Sequence, residues 1–184
     1  MPRILVINGH SNAGKTTLCA WLASERGFTV VDCDKGGIDS AGLRVAWDAV
    51  ERGDAGPLRK KLSSRGHDTV FDWPYNPPHG FSMVRALRAA NIPAWWLDAD
   101  AVAAETSFRG RGTGTGSVEA FRHHAFAVGL QRNQVHALYG SRYLMTLGPG
   151  GARMDPGAIW DAIRAVEGWP AAAVQSGPGS SSLD

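Results

Sequence analysis

Short, β-branched apolar runs recur along this 184-residue chain, each followed by a polar or glycine-rich stretch and then by apolar positions at helical spacing. That alternation predicts an α/β fold, five parallel strands joined by crossover helices that cover both faces of the sheet. The first strand is expected over residues 3–8, around Ile4-Leu5-Val6-Ile7, with a helix from about Lys15 to Ser24. The second is Thr29-Val30-Val31, running into Asp32-Cys33-Asp34. Beyond it, Leu43, Ala46, Trp47 and Val50 share one face of a helix with Ser40 as its cap and Gly53 at its end. Pro57 then opens a short basic helix carrying Arg59, Lys60, Lys61 and Leu62.

Thr69-Val70-Phe71 predicts the third strand, ending at Asp72, and a proline-rich turn containing Trp73 and Tyr75 leads to a helix capped by Ser82 and closed by Asn91. The fourth strand is Ala94-Trp95-Trp96-Leu97, and Asp98 and Asp100 behind it are expected to cap the next helix. A glycine-rich segment from Arg109 to Gly116 precedes a helix from about Ser117, on whose surface His123 and His124 are expected. The fifth strand is Tyr143–Leu147. Asp155 and Pro156 cap and open a last helix with Ile159, Ile163 and Val166 on its apolar face. From Ala171 onward glycine, proline and four serines predict a disordered tail over 171–184, leaving one folded domain over 1–170.

Between the first strand and its helix lies Gly9-His10-Ser11-Asn12-Ala13-Gly14-Lys15-Thr16, a complete G-x-x-x-x-G-K-[ST] phosphate-binding loop in the context the motif requires. Its two glycines let the backbone turn tightly around an anion, so that peptide N–H groups and the helix N-terminus point at phosphates. Lys15 can reach between the β- and γ-phosphates, and the Thr16 hydroxyl can ligate Mg²⁺. Gly9 to Lys15, with Thr16 and Thr17, are therefore the candidate nucleotide contacts.

Composition narrows the rest. With 43% hydrophobic residues the chain can bury a full core, and no apolar run approaches the length of a membrane span. Two cysteines, Cys19 and Cys33, are too few for a disulfide framework and suit reduced thiols, hence a cytoplasmic location. A net charge of +2 neither requires nor excludes a nucleic-acid partner. Lysines number four, none beyond Lys61, against fifteen arginines, whose forked guanidinium suits fixed phosphate contacts.

The loop, the Asp-x-Asp behind the second strand and the arginine-bearing segment behind the fourth together resemble the small P-loop kinases of the nucleoside-monophosphate-kinase, shikimate-kinase and gluconate-kinase type. The likeness spans roughly residues 1–168, with the phosphate loop as its one specific motif. It implies a five-stranded parallel sheet in the order 2-3-1-4-5, an acceptor-binding insertion at about 35–66 and a lid at about 101–117. It also implies ATP and Mg²⁺ as ligands. Asp34 is then the expected base or orienter for an acceptor hydroxyl, since phosphoryl transfer is mostly positioning and charge neutralisation. Asp32 and Asp72 are expected near Mg²⁺ with Thr16, and Arg109 and Arg111 over the phosphates. Trp73 and Tyr75 are expected on the rim where an acceptor sits, and Gly148-Pro149-Gly150 against the adenine. No arginine pair of the shikimate-clamping kind is present, and no nucleoside-monophosphate signature follows the third strand.

Three functions follow. The first is an ATP-dependent kinase acting on a hydroxyl or phosphate of a small metabolite or nucleotide. A second is a kinase phosphorylating 5-hydroxymethyluracil within phage DNA, for which Arg59, Lys60, Lys61 and Arg65 would meet the backbone. A third is a P-loop ATPase of regulatory role; the absence of an N-K-x-D motif argues against a GTPase. The acceptor and the oligomeric state are not encoded in any recognisable pattern.

Overall fold

A computed structural model describes residues 1–74, 80–110 and 117–170. In chain order the elements are β1 (Ile4–Gly9), α1 (Lys15–Arg26), β2 (Thr29–Asp32), α2 (Gly37–Ser40), α3 (Arg44–Glu51), α4 (Gly56–Ser63), β3 (Thr69–Asp72), α5 (Gly80–Ala89), β4 (Ala94–Ala99), α6 (Ala101–Gly110), α7 (Val118–Leu130), α8 (Arg132–Tyr139), β5 (Tyr143–Leu147) and α9 (Pro156–Glu167). The strands pair in parallel in the expected order, β2-β3-β1-β4-β5.

β1 lies at the centre and is buried along its whole length. Successive side chains of a strand point to opposite faces, so its unbroken apolar run feeds two cores. Ile4 and Val6 join Phe71, Trp96 and residues of α3, α4, α5 and α8 on one face. Leu5 and Ile7 join Trp95, Leu97, α1 and α9 on the other, where Leu18, Leu22, Ile159, Trp160 and Ile163 close the layer. This layering brings Gly9, Asp32, Asp72 and Ala99, the last residues of four strands, to one edge of the sheet.

Local capping follows the sequence in part. Ser117 accepts from Ala120 N, and Asp155 accepts from Gly157 N and Ala158 N with Pro156 in the first turn of α9. Ser40, in contrast, is the last residue of α2 rather than a cap; Gly42, at φ 61°, breaks the chain before α3 begins. Ser82 lies inside α5, and Val166 points outward, 45% exposed, in the last turn of α9. The expected tail at 171–184 lies outside the described residues. No helix of the described residues is long and apolar enough to cross a membrane.

Candidate active site

The loop from Gly9 to Gly14 is tied to nearly every element around it. Gly9 has φ 142°, and a Cβ there would stand 1.9 Å from the Leu97 carbonyl oxygen of β4, so only glycine lets the two backbones approach. His10 N donates to that same oxygen at 2.9 Å. The buried Thr146 hydroxyl of β5 donates to Ala13 O at 2.6 Å, and Asn12 Nδ2 donates to Ala104 O of α6 at 2.9 Å. Asn12 itself sits at φ 67°, a left-handed conformation that asparagine tolerates better than most residues. At Gly14 the chain turns, φ 92°, into α1. The result is a fixed concave backbone at a helix N-terminus, the geometry that binds anions.

Lys15 Nζ donates to the carbonyls of Gly9 and His10, each at 3.1 Å. Burial pushes its pKa down from the ordinary lysine value, while the negative charges of Asp72 and then Asp34 act the other way. Both carboxylates are thus near enough to be felt by the ammonium. Thr16 Oγ1 donates to Asp72 Oδ2 at 2.6 Å, joining the first turn of α1 to the end of β3. Asp32, the ladder partner of Asp72, accepts from Asp34 N at 3.0 Å and caps the 3-10 turn at Cys33–Lys35. Asp34 is exposed at the top of that turn. The thiols of Cys19 and Cys33 are free and pushed up, first by burial and next by Asp72.

Oxygen donors therefore dominate this edge: a hydroxyl and two carboxylates beside a phosphate cradle. Among the described residues no group of three or more His, Cys, Asp or Glu side chains could hold a metal by itself. That set fits Mg²⁺, which binds through one or two protein oxygens and takes the rest from phosphates and water.

Among solved structures the chain is similar to a gluconokinase from Sinorhizobium meliloti, at 11% identity and a TM-score of 0.50, over 90% of this chain and 92% of that one. The fold is that of the small P-loop kinases. Further similarities are to a deoxyadenosine kinase from M. mycoides with bound dATP (12% identity, TM-score 0.47, 89% and 99% covered) and to the YorR protein of Bacillus subtilis in complex with phosphorylated GDP (15%, 0.45, 89% and 95%). No family model matches the sequence, and no curated protein matches it.

Within this kinase fold, Arg109 belongs to the last turn of α6 and is engaged by Glu105, with Nη2 2.6 Å from Oε1. Arg122 of α7 reaches the same carboxylate at 2.7 Å. Hydrogen bonds from Arg122 and Arg109 hold Glu105 down to about 2. Arg109 accordingly rests on the α6–α7 pair and not on the phosphate loop. Arg111 and Tyr75 lie outside the described residues. Trp73 is only 7% exposed and packs edge-on against Trp47, which stacks on Phe71; its ring fills the core instead of forming a rim.

Other expectations change as well. Asp100 caps α6, accepting from Val102 N and Ala103 N, but Asp98 does not cap it: its buried carboxylate accepts from Arg132 and from the Tyr143 hydroxyl. Burial and Asp98 push the Tyr143 hydroxyl up to about 12. Three of the four basic residues are engaged by backbone: Arg59 donates to Ala90 and Asn91 carbonyls, Lys61 to Gly42 O, and Arg65 to Ala41 O, while Lys60 is exposed.

The structure adds residues that the sequence did not single out. Arg153, behind β5, donates from Nη1 to Asn12 O at 3.0 Å. It lines a cavity of about 420 Å³ together with Asp100, Thr106, Ser107, Gly150 and Gly151, so Gly150 of the segment expected against adenine shares a wall with a side chain bonded to the phosphate loop. Asn8, fully buried on β1, has neither amide atom partnered among the described residues. A larger cavity, about 810 Å³, lies at the opposite edge of the sheet, where Arg3 pairs with Asp68 and Arg142 with Glu167. It does not touch the loop.

Proposed function

We propose that this chain is an ATP-dependent kinase transferring the γ-phosphate to a hydroxyl or phosphate of a small metabolite or nucleotide. The observation that carries the proposal is the convergence of Lys15, Thr16 and Asp72 on one closed phosphate loop, with Asp34 close enough to act on Lys15. The loop's N–H groups and Lys15 bind the polyphosphate, and the cavity between Arg153, Thr106 and Gly150 takes the nucleoside end. Thr16 and Asp72, with Asp32 behind them, would hold Mg²⁺, which when bound neutralises phosphate oxygens.

Asp34 orients the acceptor and takes its proton as the acceptor oxygen bonds to the γ-phosphorus. The bond from that phosphorus to the bridging oxygen breaks, and ADP leaves with the electron pair. Arg109 and Arg111 are proposed to close over the phosphates and exclude water once Glu105 gives up its hold on Arg109. The carbonyl contacts of Arg59, Lys61 and Arg65 give these side chains a structural task, so the DNA-base alternative takes no support from them.

The test is incubation with labelled ATP and Mg²⁺ against metabolites, nucleotides and DNA containing 5-hydroxymethyluracil. Acceptor-dependent ADP release with label in the acceptor supports the kinase. Label in DNA alone would move the reading to the base kinase, and acceptor-independent hydrolysis would move it to the regulatory ATPase.

A further inference from the structure

His123 and His124 were expected on the surface of α7, and the structure separates them. His123 is exposed, whereas His124 is half-buried with Nδ1 3.4 Å from Ser11 Oγ. Its ring lies 6.1 Å from that of His10 at 75°. Phe121, three residues earlier and so on the same face of α7, packs edge-on against His10 at 5.8 Å. One stripe of α7 therefore rests on loop residues 10 and 11.

The same stretch of loop also receives Lys15, whose Nζ donates to Gly9 and His10 carbonyls. Lysine and imidazole thus approach adjacent residues of one phosphate cradle from two elements. The loop's peptide groups wrap the anion, and His124 reaches the rim of that cradle through the Ser11 side chain. The described arginines of α6 and α7 face elsewhere: Arg109 and Arg122 share Glu105. Of the basic side chains described on α6 and α7, His124 is the one in contact with the loop.

We infer that His124 is a catalytic residue, donating a hydrogen bond to a non-bridging oxygen of the phosphoryl group in transit. The inference rests on the kinase reading. In the step, the acceptor oxygen gains the bond to phosphorus, the bridging oxygen departs with its electron pair, and the acceptor proton goes to Asp34; His124 keeps its own proton and exchanges none. Negative charge spreads over the equatorial oxygens during transfer, so a donor fixed there strengthens as the transition state forms. The 3.4 Å contact with Ser11 is long for a hydrogen bond and easily exchanged for one to phosphate.

Calorimetric titration of the full chain with Mg-ADP, with and without aluminium fluoride as a mimic of the phosphoryl group in transit, tests this without an identified acceptor. His124→Ala is expected to bind Mg-ADP within about twofold of the parent and to lose roughly 10²–10³-fold in affinity for the fluoroaluminate complex. His124→Arg should restore much of that loss and His124→Gln only part, with thermal melting confirming that each variant folds. Equal retention of both affinities in His124→Ala would reduce the residue to packing and overturn the inference. An equal loss of both would make it a support of the loop, which also overturns it. A parent protein that binds Mg-ADP but gains nothing from aluminium fluoride overturns the role of His124 alone, whereas one that binds no nucleotide removes the kinase reading as well.

Discussion

The Thr16 hydroxyl donates to Asp72 Oδ2 at 2.6 Å, so the first turn of α1 and the end of β3 are locked together where the metal-bound triphosphate is proposed to rest. The hydroxyl thereby keeps its lone pairs available to a cation, and the carboxylate keeps a second oxygen. Asp72→Asn retains an acceptor for Thr16 but removes the negative charge. Affinity for Mg-ATP is expected to fall about 10–100-fold, with a smaller change for ATP in the presence of a chelator. Calorimetry with and without EDTA measures both, and equal losses in the two conditions would deny Asp72 a metal-linked part.

Lys15 illustrates a conflict between binding and stability. Burial pushes its pKa below the ordinary 10.5, so the fold disfavours the ammonium that a phosphate needs. Between the lowered value and 10.5 the unfolded chain binds more protons than the folded one, and stability therefore rises with pH through that window. Lys15→Met is expected to abolish Mg-ATP binding, to melt at or above the temperature of the parent near neutral pH, and to lack the rise in alkaline buffer. Chemical denaturation at several pH values would show it. A Met variant that retains the full alkaline rise would assign that rise to another group.

Asp32 and Asp34 are two residues apart and separable by experiment. Asp32 Oδ1 holds Asp34 N, a local structural bond, while Asp34 is exposed and acts on Lys15 through space. Asp34→Asn should lower kcat by roughly 10²–10⁴-fold with little change in Mg-ATP affinity. Asp32→Ala should cost about 1 kcal/mol of stability by removing the cap and should lower kcat less. Steady-state kinetics beside urea melts separates the two, and equal kcat losses would argue that both carboxylates serve the reaction.

Local physics explains why the scaffold could be anticipated and the site only in part. The apolar runs at Ile4–Ile7 and Ala94–Leu97 can satisfy two covered faces only as strands of a parallel sheet, and the Gly-rich turn before Lys15 has few other structural solutions. Side-chain partnerships across long separations leave no such trace. Ser11 and His124 are 113 residues apart, and Asn12 and Arg153 are 141 apart. Nothing in the spacing of Trp73 distinguishes a rim from a core; its neighbour Trp47, brought in by α3, decided the matter. Arg109 looked available because its partner Glu105 lies on a helix whose extent the glycines obscured.

Arg153 offers the last test. Its Nη1 holds the carbonyl of Asn12, while the Asn12 amide holds Ala104 O, so one left-handed residue of the loop is pinned from both the β5 side and α6. The same guanidinium borders the cavity of about 420 Å³ where the nucleoside end is proposed to lie. Removing it should loosen the loop before a ligand arrives without touching the reacting atoms. Arg153→Ala is therefore expected to raise KM for ATP about tenfold while kcat changes less than threefold, the signature of an interaction made equally in ground and transition states. Arg153→Lys should recover little, since a single ammonium cannot reproduce the fork that spans carbonyl and cavity. A fall in kcat at unchanged KM would instead place Arg153 among the groups that act on the phosphoryl group in flight.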